Sequence, residues 1–105
     1  MIIDFDPDHG NGEPTLLDAE NFQTLKLVLH TAPQTDGEMP GAVGRLGDWV
    51  GSHMFVQPDV IRSLAGRHAE NLRWQKQFDV MMAYAMSSGW VDDRGAVRIH
   101  IDYQV

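Results

Sequence analysis

Three aspartates near the amino terminus have a spacing that could bind a metal ion. Asp4, Asp6 and Asp8 occupy alternate positions, as do the first three ligands of an oxygen-rich calcium loop, because a hard cation requires several carboxylates at once. Such a loop also requires glycine and glutamate at later positions, where this chain has His9 and Thr15. The pattern is therefore incomplete. We interpret it as a solvated acidic loop and assign no metal ligand from it.

Histidine is the other residue type that could bind a metal or act as a general base near neutral pH. No two histidines are spaced four residues apart, as two zinc ligands on one face of a helix would be. The five are His9, His30, His53, His68 and His100. His68 falls on the apolar face of a predicted helix, which favours a structural role. His53 follows Ser52 in a predicted loop and is the better catalytic candidate, although the Gly-x-Ser-x-Gly sequence of a serine hydrolase is absent.

A small hydrolase or metal-dependent enzyme, centred on His53 or on the loop from Asp4 to Asp8, is therefore one hypothesis for function. Against it, the chain contains no cysteine, which excludes disulfides, thiolate metal sites and cysteine nucleophiles. The remaining motifs are incomplete, so we predict no catalytic residue, no metal and no cofactor. The incomplete motifs and the absence of cysteine together favour a protein that is not an enzyme.

The composition is that of a folded protein with one hydrophobic core. Of the 105 residues, 43% are apolar and 22% are charged, close to the averages of globular domains, which argues against disorder. A chain of this length supports one core, so we predict a single domain over residues 1–105. No stretch is apolar enough to span a bilayer, and the first residues are acidic rather than basic. We therefore predict a cytoplasmic protein with no membrane partner.

Charge is distributed unevenly along the chain. The formal net charge is −7, which disfavours nucleic acid as a partner because basic residues supply most of the affinity for a phosphate backbone. Residues 1–38 contain eight acidic residues and one basic residue, Lys26, whereas residues 39–105 contain seven of each. The acidic amino-terminal region is therefore available to a basic protein partner.

The amino-terminal part of the chain predicts a strand followed by a segment with two interpretations. Met1–Phe5 has the apolar alternation of a short strand. Residues 16–31 begin with a weak capping pattern, which favours a helix. Within them, Leu25, Leu27 and Leu29 alternate with polar residues, as in a strand. We adopt the helix and keep the strand as the alternative.

The second half of the chain contains the strongest helical pattern. A short helix is predicted over residues 42–50, and Pro58 suits the first position of another. Gly66 is expected to interrupt that helix. The longest helix is predicted over residues 67–88, where five apolar side chains recur on one face: Trp74, Phe78, Met81, Met82 and Ala85.

The carboxy-terminal segment predicts a β-hairpin. Residues 97–103 alternate apolar and polar side chains, and a glycine-containing turn joins them to Trp90 and Val91. Because an isolated hairpin is marginally stable, we expect it to pair with the amino-terminal strand. The predicted fold is α+β and mainly helical, with about four helices, the longest near residues 67–88, and a small antiparallel sheet. The order of elements is compatible with a winged-helix-like arrangement.

The favoured hypothesis is a soluble protein–protein interaction module that self-associates. In so small a protein, part of the large apolar surface remains exposed, and such patches usually bind a partner or a second copy. The predicted interaction surface consists of Trp49, Trp74, Met81, Met82 and Trp90.

A winged-helix DNA-binding regulator is the alternative from a different class. In that arrangement Arg67, Arg73 and Lys76 would face a phosphate backbone, and Arg94 would lie at the tip of the wing. This interpretation rests on analogy at the level of the fold.

Overall fold

The chain forms a six-stranded mixed β-sheet with helices on one face. A computed structural model describes residues 1–8, 13–30 and 41–104. In chain order the strands are β1 (Ile2–Phe5), β2 (Thr15–Leu17), β3 (Lys26–Leu29), β4 (Gly47–Val50), β5 (His53–Val56) and β6 (Val97–Tyr103). They lie side by side in the order β2-β1-β3-β6-β5-β4. The neighbours β1, β3 and β6 are parallel, and the other neighbours are antiparallel.

The helices are fewer than the sequence pattern predicts. A single helical turn, α1 (Gly41–Gly44), precedes β4, and two longer helices, α2 (Pro58–Ala65) and α3 (Leu72–Ser87), follow β5 with a 3-10 helix at Gly66–Glu70 between them. The prediction of a mainly helical fold with four helices and a small antiparallel sheet is wrong, because strands occupy about as much of the chain as helices do. The winged-helix-like arrangement is also wrong, since parallel strands form the centre of the sheet.

The helix predicted over residues 16–31 is replaced by β2, turns and β3. Leu27 and Leu29 are buried in the core, as the strand alternative requires. Burying a leucine side chain contributes about 1.5–3 kcal/mol, whereas a helix cap contributes only about 1 kcal/mol. Tertiary burial therefore outweighs the local capping pattern. Thr31 and His9 lie outside the described residues.

The helix predicted over residues 42–50 is wrong beyond its first turn, because Gly47 begins strand β4 and pairs with Val56 of β5. The sequence pattern does not predict β5 at all. Phe55, an apolar residue, lies on the outward side of that strand and hides the alternation of buried and exposed positions. Segments this short carry too few residues to separate a period of two from a period of 3.6.

The long helix predicted over residues 67–88 is confirmed from Leu72 to Ser87, whereas its predicted first turn belongs to the 3-10 helix Gly66–Glu70. Helix α2 begins at Pro58 and ends at Ala65, and the Gly66 that follows has a φ of 58°, in the left-handed region that glycine tolerates. Helix α3 then runs without interruption, with Trp74, Phe78 and Ala85 buried on one face. The rings of Trp74 and Phe78 stack with centroids 5.0 Å apart. These side chains form the helical half of the core.

The carboxy-terminal strand is confirmed, but its predicted partner is wrong. Along β6 the side chains of Val97, Ile99 and Ile101 are buried while Arg98 and His100 are exposed. The predicted hairpin is reduced to one bridge between residues 91 and 97. Strand β6 pairs with β3 and β5, and β3 separates it from the amino-terminal strand. The sheet is therefore larger than a hairpin with one added strand.

The two faces of the sheet have different surroundings. On one face α2 and α3 pack against the sheet, and the core there includes Ile3, Leu27, Leu29, Met54, Ile61, Phe78, Ile99 and Ile101. On the other face, a row of laterally paired residues crosses all six strands in the order Leu17, Ile2, Lys26, His100, His53 and Val50. Within the described ranges, no helix has the length and apolar character needed to cross a bilayer.

Replacing Gly47 by alanine is expected to destabilise the fold. A Cβ atom at Gly47 would overlap the backbone carbonyl group of Phe55 on the neighbouring strand, and backbone atoms in a paired strand cannot move away without breaking the pairing. We expect Gly47→Ala to lower the free energy of unfolding by about 2 kcal/mol or more, measured by urea denaturation. The exposed neighbour Asp48 provides the control, since Asp48→Ala should change stability by less than about 1 kcal/mol. Equal losses in the two variants would contradict the close approach of β4 and β5.

Stability is expected to depend on the protonation of His30. Its Nε2 atom donates a hydrogen bond of 2.8 Å to Asp4 Oδ2. This bond raises the pKa of His30 above its ordinary value of 6.5. Partial burial acts in the opposite direction, and the charges of Asp4 and Asp6 add to the rise. The charged pair therefore contributes stability that is fully present below that value and is lost as the pH rises through the raised folded pKa.

The variant His30→Gln tests this linkage. Thermal unfolding should show a larger loss of stability, relative to the unmodified chain, at about pH 5.5 than at about pH 8.5. A loss of the same size at both pH values would show that the interaction with Asp4 does not depend on the histidine charge.

Candidate interaction groove

The carboxy-terminal half of α3 is uncharged although one side of it faces solvent. The first eight residues of α3 include Arg73, Lys76 and Asp79, but no charged residue occurs in the twelve positions of 80–91. A helix on a protein surface normally carries charged or polar residues on its outer face. This half of α3 therefore has the composition of a surface that is covered.

Four large apolar or aromatic side chains from this region are exposed, among them Met86, which is 67% exposed. Val80 is 70% exposed, Tyr84 is 63% exposed and Trp90, just after the helix, is 39% exposed. The rings of Tyr84 and Trp90 meet edge to face with centroids 5.7 Å apart. Gly89, with φ of 78°, turns the chain after the helix, and the backbone N–H of Trp90 donates to the carbonyl of Ala85. The turn thus holds Trp90 against the helix.

A loop of residues 18–25 forms the facing wall. The amino-terminal ammonium group of Met1 donates hydrogen bonds of 2.6 Å to the backbone carbonyls of Asn21 and Thr24. The indole N–H of Trp74 donates a bond of 2.7 Å to the carbonyl of Ala19. The ring of Phe22 lies 5.8 Å from that of Trp74. The wall is therefore fixed to the core by backbone and aromatic contacts.

Between this wall and α3 lies an open groove. It has a volume of about 610 Å³ and is lined by Phe22, Gln23, Lys76, Gln77, Val80, Met81 and Tyr84. A smaller cavity of about 250 Å³ shares four of these residues and continues beneath Trp90 towards β6, where Arg98 lines it. We call the whole feature the α3 groove.

The α3 groove has no carboxylate among its lining residues, although the protein as a whole is strongly acidic. Its charged side chain is that of Lys76 in the larger part. Arg98 borders the smaller part through its residue on β6, where its side chain lies on the face of the sheet opposite Val97 and Ile99. Amide side chains and apolar groups make up the rest. The groove is thus suited to an apolar surface, and its charge disfavours a basic one.

The predicted interaction residues separate into two groups. Met81, Met82 and Trp90 line the α3 groove. Trp74 is only 3% exposed, so its side chain belongs to the core and supports the groove from inside. Trp49 is half-buried on β4, where its indole N–H donates to the carbonyl of Gly51.

Sequence reasoning missed Phe22, Val80 and Tyr84, which supply much of the apolar lining. The absence of charge in residues 80–91 is the signal that could have identified the two residues on α3. Phe22 carries no comparable signal, because the loop that places it beside α3 is set by tertiary contacts.

The residues of the DNA-binding alternative do not form one surface. Arg67 and Arg73 line a depression that also contains Glu20. Lys76 lies in the α3 groove, and Arg94 contacts Asp48 of β4 at 3.9 Å. Because three of the four basic residues lie beside acidic ones, they do not form the continuous basic face that phosphate binding requires.

The residues considered for catalysis are also separate. The hydroxyl of Ser52 lies 3.5 Å from Nδ1 of His53 at the start of β5. Asp4 is bonded to His30, and Asp6 accepts a hydrogen bond from the backbone N–H of Asp8. Among the described residues, no group of three histidine, aspartate or glutamate side chains converges to hold a metal ion. The acidic loop and His53 do not form a common site.

Comparison of the chain with models of protein families, with curated proteins and with solved structures finds no match. The α3 groove is the feature of the described surface in which exposed apolar groups are most concentrated.

Replacing Trp74 by phenylalanine is expected to loosen the wall of the groove. The change removes the indole N–H and leaves the carbonyl of Ala19 without its donor, which costs about 1–3 kcal/mol for a buried group. We expect a loss of this size in chemical denaturation. The matched control is Trp90→Phe, at a partly exposed position, which should change stability by less than about 0.5 kcal/mol. Equal effects of the two changes would show that the bond from Trp74 does not anchor the loop.

Proposed function

We propose that this protein is a non-enzymatic interaction module that self-associates through the α3 groove. The observation that carries the proposal is the uncharged run of residues 80–91, in which Val80, Tyr84 and Trp90 are exposed. Soluble proteins rarely leave a contiguous apolar patch open to water, and such patches commonly mark protein–protein interfaces. Tyrosine, tryptophan and methionine are also the residue types enriched in interfaces.

A second copy of the chain is the occupant that the charges favour. Two molecules that each carry a net charge of −7 repel each other, and this repulsion is smallest where the contacting surfaces contain no carboxylates. The α3 groove is such a surface. A basic partner would meet Lys76 there, so the acidic amino-terminal region is the better place for a partner of that kind.

The residue order of α3 is compatible with a two-fold interface. In an antiparallel pair of α3 helices related by an axis near Val80, positions equally distant from Val80 face each other. Lys76 would then face Tyr84 of the second copy, and the reverse contact would occur on the other side of the axis. A lysine ammonium over a tyrosine ring contributes about 0.5–1 kcal/mol. Arg73 would face Ser87, so no two like charges would meet.

Replacing Val80 by glutamate is expected to prevent self-association. The change would place two carboxylates at the two-fold axis, each without a partner in an apolar contact. By light scattering coupled to size-exclusion chromatography, the unmodified chain should have twice the mass of the 11.8 kDa monomer. The Val80→Glu variant should have the monomer mass.

The matched control is Val50→Glu on the edge strand β4, where the valine is 58% exposed and lies away from α3. This variant should remain a dimer. A monomeric unmodified chain at all concentrations would contradict self-association. A dimer that persists in Val80→Glu would place the interface elsewhere.

A further inference from the structure

Two histidines that are distant in sequence meet on the open face of the sheet. His53 of β5 and His100 of β6 are directly opposite each other in the antiparallel register. Their rings have centroids 5.8 Å apart and an interplanar angle of 69°. His53 is half-buried and His100 is exposed. Both imidazoles are therefore accessible from the same side of the sheet.

The separation of the two rings is close to that required for one shared metal ion. A metal–nitrogen bond to imidazole is about 2.0–2.1 Å long. The angle between two adjacent metal–nitrogen bonds lies between the square-planar and the tetrahedral value. With this bond length, the centroids of two imidazole rings bound to one ion are then about 4.5–5.3 Å apart. The observed separation exceeds this by less than 1.5 Å. Rotation of the exposed His100 side chain can close the gap without moving the paired backbones.

Charged groups of both signs lie around the pair, since Arg98 and Asp102 are two residues before and two residues after His100 on the same face of β6. Lys26 is the next residue in the row beyond His100, but its ammonium group lies 3.6 Å from the carboxylate of Asp102. The carboxylate of Asp102 thus offsets the charge of Lys26 beside the two imidazoles. The hydroxyl of Ser52 lies near Nδ1 of His53 and can hold that ring in place.

We propose that His53 and His100 form a two-imidazole site for a divalent transition-metal ion, of which Cu²⁺ binds most strongly. Imidazole nitrogen suits Cu²⁺, Ni²⁺ and Zn²⁺, whereas Ca²⁺ and Mg²⁺ require several oxygen ligands. With two protein ligands, the remaining coordination positions are occupied by water. Affinity then follows the intrinsic order for a nitrogen donor set, in which Cu²⁺ exceeds both Ni²⁺ and Zn²⁺.

This site is independent of the proposed self-association. The histidines lie on the face of the sheet that α2 and α3 do not cover, whereas the α3 groove lies on the helical side. Metal binding can therefore succeed or fail whatever the oligomeric state is.

The experiment is a calorimetric titration of the 105-residue chain with CuCl₂ in a non-coordinating buffer at about pH 7.5, where imidazole is mostly neutral. We expect one strong site per chain. Loss of an outer-shell partner alone weakens metal binding by about 10–100-fold. His53→Ala and His100→Ala, each removing one of two ligands, should therefore each weaken binding at least about tenfold. Titrations with NiCl₂ and ZnCl₂ should give weaker binding than CuCl₂.

The matched control is His68→Ala, which removes an exposed histidine on the helical side and should leave the affinity unchanged. Circular dichroism verifies that each variant is folded. As a second readout, Cu²⁺ should raise the melting temperature of the unmodified chain, because it binds the folded pair, and this rise should disappear in either single variant. Unchanged affinity in His53→Ala or His100→Ala, or an equal loss in His68→Ala, would overturn the site.

Discussion

The structure depends on how a short chain covers a wide sheet. Six strands spaced about 4.8 Å apart form a sheet about 25–30 Å wide, and two helices of about 10–12 Å diameter cover roughly one face of it. The molecule is 19 Å thick in its shortest dimension, which corresponds to one layer of sheet and one of helix. Within the described residues, α2 and α3 are the helices long enough to form that second layer, and both pack on the same face.

This constraint determines what each side of the molecule can do. Helix α3 has to bury Trp74, Phe78 and Ala85 against the sheet, and its other side is left to solvent or to a partner. In the described part of the chain no helix packs on the opposite face of the sheet, where Lys26 and Asp102 are half-buried and His100 is exposed. The groove and the histidine pair are therefore consequences of the same two-layer arrangement, on opposite sides of it.

The loop of residues 18–25 links the core to the groove. It is held by the ammonium group of Met1 and by the indole of Trp74, two donors that are far apart in sequence. The N–H of Trp74 reaches one wall of the groove while its ring stacks on Phe78 in the core. A tryptophan expected at an interface instead joins the wall of the α3 groove to the interior, because an indole in the core still requires an acceptor for its N–H.

Sequence alone determined the elements whose signal extends over many residues. The apolar period of α3 spans several turns, so its existence and buried face follow from sequence, and the alternation of β6 over residues 97–103 is similarly clear. Pro58 and Gly66 mark boundaries through their own backbone restrictions. The acidic amino-terminal region and the absence of cysteine are likewise properties of the chain itself.

Tertiary structure decided everything that depends on pairing between distant strands. Residues 16–31 carry local signals for both helix and strand. The strand β3 forms because its position between β1 and β6 buries Leu27 and Leu29. The position of Phe22 beside Tyr84 follows from the anchoring of a loop, which no local pattern encodes. His53 and His100 lack any motif spacing, and only the antiparallel register of β5 and β6 places them opposite each other. A one-residue shift of that register would turn one of the rings to the other face, so the chemistry of this pair depends on the sheet as a whole.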